Sequence, residues 1–329
     1  MPKRNFKKCF ITGITGSGGS YLAEYIIKNV KKVKVIGCFR GKKNLNLIDK
    51  KVREKISISK LSLDNFKATK KFLNKNRPDL IFHLASDADV RNSFNFPSKI
   101  IKDNTIITLN LLEAVKQLNY TPLVIICSTS EVYGKVKKID IPISENQKFN
   151  PASPYAFSKV FQDYLAQMYF KVYKQKIIIT RMFSYVNPKR VNLFQTSFAD
   201  QIAKLEKSKK KNKTLFHGNL NSIRTFIDID DAMRAYWDVA VKGRIGEIYN
   251  IGGKSIVTVR GVLKTLLKKS RVKIKTKSIK SLLRPIDVTL QIPNVKKFTK
   301  DTKWTPSISL DLALEKLINY RRIFNEKKK

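Results

Sequence analysis

Residues 9–19, Cys9-Phe10-Ile11-Thr12-Gly13-Ile14-Thr15-Gly16-Ser17-Gly18-Gly19, decide how this chain folds. An apolar run stops at a glycine-rich turn, and an amphipathic stretch (Tyr21-Leu22-Ala23, Ile26-Ile27) follows it. That order reads as strand, tight turn, helix. Glycine permits the turn, lets the backbone approach an anion closely and lets the helix pack on the strand. A helix beginning near Gly19 presents free N–H groups and a positive dipole end, which suit a phosphate. The spacing is Gly13-x-x-Gly16-x-x-Gly19 rather than G-x-G-x-x-G. A glycine turn without a ligand is the alternative, and the flanking strand and helix argue against it.

Outward from this turn the first half alternates strand and helix. The strands read as Lys8–Thr12, Val33–Cys38, Ile56–Ser59, Leu80–Leu84, Leu123–Ser128 and Lys176–Arg181, short and apolar as strands buried on both faces are. The helices read as Ser20–Asn29, Asp64–Asn76, Lys99–Leu118 and Pro154–Tyr173. The alternation implies an α/β fold, a doubly wound parallel sheet of Rossmann type, with ligands at the carboxyl ends of its strands. After Phe183 the rhythm breaks. An acidic-start helix from Asp228, a strand Ile248–Ile251 and a last amphipathic helix near Leu310–Tyr320 follow. The expected division is a cofactor-binding domain over 1–183, with returning segments near 224–252, and a smaller interleaved cap over 184–329.

Net charge is +42, from 67 Lys+Arg against 25 Asp+Glu. Such a surface attracts polyanions. However, basic residues occur in every segment, and only Lys204–Lys213 and Lys327-Lys328-Lys329 are clusters, so a solvated lysine-rich surface is the reading adopted. No specific nucleic-acid partner is expected. No apolar run is long enough to span a bilayer, and no signal-peptide apolar region precedes the first strand, so a cytoplasmic location is expected. Cys9, Cys38 and Cys127 all fall in strands and read as buried small hydrophobes. His83 and His217 are the only histidines, and no metal is expected.

Two further stretches carry chemistry. Ser153-Pro154-Tyr155-Ala156-Phe157-Ser158-Lys159 places a phenol and an amine four apart, on one helical face. Tyrosine, with a reference pKa of about 10, is a poor base at neutral pH. A neighbouring ammonium and a positive nicotinamide favour phenolate and bring Tyr155 into range. Ser128-Thr129-Ser130-Glu131-Val132-Tyr133-Gly134 ends the fifth strand and sets the Thr129 hydroxyl where it can bond a substrate oxygen. A dinucleotide site preferring NAD has an acid about 20 residues after the glycines. Here Phe39-Arg40 stand there, followed by Lys42 and Lys43. Guanidinium binds a 2′-phosphate bidentately, so NADP is expected, with NAD the alternative.

With these motifs the chain resembles the extended short-chain dehydrogenase/reductases, and within them the GDP-mannose 4,6-dehydratases. Ile11–Gly16 with Ser20–Glu24, Ser128–Lys135 and Ser153–Lys159 are similar to the dehydratases. Ser197–Ala203, Gly218-Asn219-Leu220 with Arg224, Leu283–Val288 and Trp304-Thr305-Pro306 look more like the sister GDP-4-keto-6-deoxymannose reductases. The resemblance implies a hydride-transfer triad of Thr129, Tyr155 and Lys159, with Glu131 as acid/base at the sugar C5 and Ser130 beside it. It implies cofactor contacts from Gly13, Ile14, Thr15, Gly16, Ser17, Gly18, Gly19, Arg40, Ser62, Leu63, Leu84, Ala85, Ser86, Tyr155, Lys159 and Arg190. It implies substrate contacts from Ser86, Thr129, Arg224 and Arg284. The small-molecule partner is then a nucleotide sugar, and a homo-oligomer, dimer or tetramer, is expected.

The sequence also departs from the family. Ser62-Leu63 replace an Asp-Leu pair, Phe183-Ser184-Tyr185 replace Phe-Asn-His, and the loop Lys189–Phe194 lacks a glycine. Three readings of function stand: a 4,6-dehydratase, a 4-keto-sugar reductase or epimerase, and an inactive polyanion-binding protein. If Arg40 holds a 2′-phosphate, Arg40→Asp moves dinucleotide preference toward NAD. Titration of the variant with both dinucleotides checks this, and unchanged selectivity refutes it.

Overall fold

Cys9 and Ile11 of the first strand enter one apolar layer, and Phe10 between them enters the other. Leu80 and Phe82 alternate with Ile81 in the same way, and Leu123, Ile125 and Cys127 with Val124 and Ile126. Strands whose successive side chains are all apolar must be covered on both faces, and helices do so here. The structure, a computed structural model, describes residues 3–41, 45–283 and 285–326.

The first half runs β1 (Lys8–Thr12), α1 (Ser17–Asn29), β2 (Lys34–Phe39), α2 (Lys50–Arg53), β3 (Ile56–Lys60), α3 (Phe66–Asn76), β4 (Leu80–His83), α4 (Val90–Ser93), α5 (Pro97–Lys116), β5 (Leu123–Thr129), α6 (Pro154–Tyr173) and β6 (Ile177–Met182). The second half runs β7 (Tyr185–Val186), α7 (Phe194–Lys207), β8 (Thr214–His217), β9 (Ile223–Thr225), β10 (Ile227–Asp228), α8 (Ile229–Lys242), β11 (Ile248–Ile251), β12 (Ile256–Thr258), α9 (Val259–Lys268), β13 (Lys275–Ser278), β14 (Leu290–Gln291), α10 (Lys296–Thr302) and α11 (Leu310–Glu326). A seven-stranded parallel sheet has the order β11-β6-β5-β4-β1-β2-β3. Its strand order reverses between β1 and β4, the crevice where such sheets bind ligands. Helices α1 and α8 cover one face, and α3, α5 and α6 the other. The small sheets β12-β9-β14 and β13-β8 belong to the second half, where α7, α9 and α11 share a separate apolar cluster.

Element ends differ from the sequence reading for physical reasons. Helix α1 starts at Ser17 rather than Ser20, because Gly16 takes the extended N-cap conformation and Gly18 and Gly19 form its first turn. Helix α5 starts at Pro97, whose missing N–H is harmless in a first turn. Helix α11 continues to Glu326. The three cysteines are free and buried.

Scarce carboxylates hold the layers together. Asp163 of α6 and Arg181 of β6 form a bidentate pair, Nε to Oδ2 and Nη2 to Oδ1 both at 2.9 Å, with both side chains almost fully buried. The remaining nitrogen of Arg181 donates to the Tyr133 hydroxyl (2.9 Å) and the Glu145 carbonyl (2.8 Å). Asp200 and Glu206 of α7 receive Arg321 and Arg322 of α11. Asp231 of α8 accepts the Ser307 and Ile308 N–H groups.

A buried ion is costly once its partner is gone. Asp163→Ala is therefore expected to cost about 3–5 kcal/mol of stability. The double change Asp163→Leu with Arg181→Met should cost far less than the sum of its singles. Urea unfolding of the three variants measures both, and an additive double variant would show that the pair is uncoupled.

Candidate active site

Gly13, at the carboxyl end of β1, has φ +67°. A Cβ there would lie 2.9 Å from the Ala85 Cα, so the turn packs directly on the end of β4. A Cβ at Gly19 would run into the Gly13 carbonyl oxygen. No side chain caps the first turn of α1, so its N–H groups are available to an anion. The turn, with backbone packed too closely for side chains at Gly13 and Gly19 and free N–H groups at the start of α1, therefore fits the diphosphate of a dinucleotide. Gly134 closes the second motif for a similar reason: its φ is +55°, and a Cβ would run into the Asn150 carbonyl.

A cleft of about 1100 Å³ opens over this turn. Gly13, Thr15, Gly16, Ser17, Gly18 and Gly19 line it, with Arg40, Leu63, Leu84, Ala85 and Ser86. On the same wall stand Thr129, Ser130, Glu131, Tyr155, Lys159 and Arg190, and Arg224 lines the part contributed by the second half. Two expected residues are not brought there. Ile14 points into the core and packs against Gly37, with its side chain fully buried. Ser62 does not line the cleft, although its neighbours Leu61 and Leu63 do. Arg284 lies outside the described residues, as do Lys42, Lys43 and Lys327-Lys328-Lys329.

Local structure sets each reactive side chain. Ser153 caps α6 by accepting the Ala156 N–H (3.1 Å), and Pro154 opens the helix, which puts Tyr155 in its first turn. The Thr129 hydroxyl accepts the Glu131 N–H (3.3 Å), starting the short 3₁₀ turn Ser130–Tyr133 that carries Glu131. Lys159 donates from Nζ to the Cys127 carbonyl (3.0 Å) and to Gln162 Oε1 (2.8 Å), which pins α6 to β5. At the far side Arg224 donates to Gln291 Oε1 (2.6 Å) and the Val288 carbonyl (3.0 Å). Ser130 donates to the same Gln291 oxygen at 3.2 Å, linking the second half to the Thr129 wall.

Behind Lys159 runs a buried polar chain. Gln162 donates to the Asn104 carbonyl (3.0 Å) and to Thr108 Oγ1. His83 Nε2 is 2.9 Å from Thr108 Oγ1, and His83 Nδ1 is 3.0 Å from Thr12 Oγ1. Thr12 Oγ1 accepts the Ala85 N–H at 3.0 Å. Satisfying every member requires Thr12 to donate to Nδ1 and His83 to donate from Nε2, so the imidazole is neutral. Burial, and after it the charge of Lys159, depresses the His83 pKa to about 3.

Burial also governs Tyr155 and Lys159. It pushes the Tyr155 phenol up to about 12, against the pull of the Arg190 charge. It lowers the Lys159 ammonium to about 8. The sequence reading has Lys159 and a positive nicotinamide together bringing the phenol down. Within the protein alone burial outweighs that effect, and Arg190 is the cation that acts on the phenol most. Arg190 is held over the cleft by the Ala88 carbonyl (2.5 Å) and Asn192 Oδ1 (2.9 Å).

Sequence reasoning missed Asp103, Gln162 and His83. Asp103 lines the cleft beside Arg40, 63 residues away in the chain, so no local motif signals it. Gln162 sits three residues after Lys159, where helical spacing could have suggested a partner. Among the described residues no cluster of three or more His, Cys, Asp or Glu is placed to hold a metal. None of their helices is long and apolar enough to cross a membrane.

A parallel sheet of this order, with a glycine turn and a Tyr-x-x-x-Lys pair in one cleft, is the architecture of the short-chain dehydrogenase/reductases. The chain belongs to the family described as GDP-mannose 4,6 dehydratase, which matches residues 10–317. It is similar to GDP-6-deoxy-D-mannose reductase of Pseudomonas aeruginosa, at 26% identity over 74% of this chain and 80% of that one. It is also similar to GDP-mannose 4,6 dehydratase 2 of Caenorhabditis elegans, at 26% identity over 96% of this chain and 89% of that one. A solved structure of UDP-glucuronic acid 4-epimerase from Bacillus cereus, in complex with UDP-glucuronic acid and NAD, superposes with a TM-score of 0.84 at 26% identity, covering 96% of this chain and 99% of that one.

The neutral imidazole predicts a pH dependence. The His83 pKa in the fold lies below its ordinary value of 6.5, so its contribution to stability is complete above 6.5 and is lost as pH falls toward 3. One such group adds a slope of about 1.4 kcal/mol per pH unit in that window. Urea midpoints from pH 7 to pH 4 should fall more steeply for the wild type than for His83→Asn; equal slopes would show that His83 is not buried neutral.

Proposed function

We propose that this chain is a sugar-nucleotide 4,6-dehydratase that uses NADP and converts GDP-mannose to GDP-4-keto-6-deoxymannose and water. When bound, the dinucleotide supplies a reversible hydride acceptor, so the reaction has no net redox change. Gly13, Gly16, Gly18 and Gly19 with the N–H groups of α1 would hold its diphosphate, and Arg40 its 2′-phosphate. Tyr155 Oη takes the proton of the sugar C4 hydroxyl, and the Thr129 hydroxyl orients that oxygen. Lys159 and Arg190 place positive charge near the phenol as it ionises. The ketone at C4 acidifies C5, and the Glu131 carboxylate removes that proton and passes it to the departing C6 hydroxyl, which leaves as water; the hydride taken from C4 would then return to C6 while a proton returns to C5, which completes the 6-deoxy product. Arg224, with Arg284, compensates the nucleotide diphosphate. Residues 184–329, apart from the returning segments near 224–252, form the substrate cap.

One observation carries this reading: Glu131 stands in the same cleft as Tyr155, close enough for its charge to act on the phenol. A dehydratase needs that second base. The 4-keto-sugar reductase reading is favoured by the resemblance of the second half, Arg224 included, to the reductases, and by the Pseudomonas relative. A homo-oligomer is part of the proposal. It is supported by the exposed side chains Phe157, Phe161, Tyr164, Met168 and Val172, spaced three or four apart along α6.

Incubation with GDP-mannose and NADP⁺, followed by mass analysis, should reveal loss of one water from the sugar nucleotide. No change with GDP-mannose, together with NADPH consumption on a 4-keto-6-deoxy sugar nucleotide, would replace the dehydratase reading with the reductase one. Tyr155→Phe should lower turnover by about 10³-fold while leaving dinucleotide affinity largely intact. Undiminished turnover would refute Tyr155 as the base.

A further inference from the structure

The cleft wall around Arg40 contains an anion of the protein's own. Arg40 Nη1 donates to Asp103 Oδ2 at 3.2 Å, and Lys99 Nζ reaches the same oxygen at 2.6 Å. Asp103 comes from α5, one turn after Lys99, whereas Arg40 follows the carboxyl end of β2. Both Arg40 and Asp103 line the cleft, in the company of Cys38, Phe39, Leu61 and Leu63. The Asp103 side chain is 25% exposed, so its charge is partly shielded from water, whereas that of Arg40 is 56% exposed. The carboxylate expected shortly after the glycines in an NAD site is thus absent from the end of β2, and one reaches the same neighbourhood from another helix.

We propose that Asp103 sets the balance between NAD(H) and NADP(H) in this protein. The inference rests on the nicotinamide-dinucleotide part of the proposed function, not on the sugar. A 2′-phosphate entering beside Arg40 meets the guanidinium it would bind and, on the same guanidinium, a carboxylate that repels it. Bidentate pairing with Arg40 favours the phosphate. Two anions sharing one cation disfavour it. A free ribose hydroxyl meets no such conflict, because it can donate to Asp103. The same carboxylate therefore opposes one dinucleotide and accommodates the other, and Lys99 moderates it by neutralising the shared oxygen. Asp103 is a specificity-determining residue, and Arg40 alone does not decide the preference.

The test is a titration of the full-length protein with NADPH and with NADH, following the fluorescence of the bound dihydronicotinamide. Asp103→Asn keeps the shape and an acceptor for Arg40 while removing the charge. The affinity ratio of NADPH to NADH should rise about tenfold, and the gain should shrink at high salt. Lys99→Met should move the ratio the other way. A ratio unchanged in Asp103→Asn, or shifted toward NADH, overturns the proposal. Equal weakening of both dinucleotides also overturns it, since that is what a purely structural role would give. Wild-type protein that binds NADH more tightly than NADPH would sink the NADP assignment and leave the Asp103 ratio to be judged by itself. Wild-type protein that binds neither would remove the dinucleotide reading, and this inference with it.

Discussion

An ammonium is buried between a helix and a strand, and the site depends on where it is tied. Lys159 Nζ on the Cys127 carbonyl joins α6 to β5 two residues before Thr129. That single attachment brings the Tyr155 phenol, one helical turn back, alongside the Thr129 hydroxyl and the short turn that carries Glu131. A charge so deeply enclosed survives only with acceptors around it. Gln162 supplies the second acceptor as a neutral amide, which leaves the ammonium far less firmly protonated than a carboxylate would. The protein thus holds its lysine by dipoles, in a range where a proton can be given up and regained near neutrality.

The polar chain behind Gln162 extends this constraint to the other cofactor-binding element. It ends at Thr12, the last residue of β1, and at the Ala85 N–H, against which Gly13 packs. The glycine turn and Lys159 are therefore parts of one hydrogen-bonded unit crossing the centre of the sheet. The reversal of strand order between β1 and β4 makes room for a ligand, and the chain through His83 and Thr108 keeps the two sides of that opening in register.

Much of this was legible in the sequence, for reasons of period. Strands buried on both faces are uninterrupted apolar runs, and β1, β4, β5 and β6 could be read within a residue or so. The glycine turn, Thr129 and the Tyr155–Lys159 pair were legible because each has its geometry written in a local spacing. The rest is long-range. Asp103 meets Arg40 only through the packing of α5 beside the sheet, and Arg224 meets Ser130 only through Gln291. Ile14 lies inside the motif, yet it faces the core because the pleat of the turn sends it beneath Gly37. The balance of burial against charge at Tyr155 was likewise beyond the sequence, since it requires knowing how deeply the phenol is enclosed.

The carboxylate pairs of the fold bear on how this chain can change over generations. Asp163, Asp200, Glu206 and Asp231 each fasten one helix to another part of the structure, so replacing any of them removes an anchor. Many lysines, by contrast, are exposed to solvent, where a change of residue has little consequence for packing. Charge at such exposed positions is thus free to vary, whereas at the anchoring carboxylates it is not. The surplus of +42 is therefore carried largely at positions that packing does not fix.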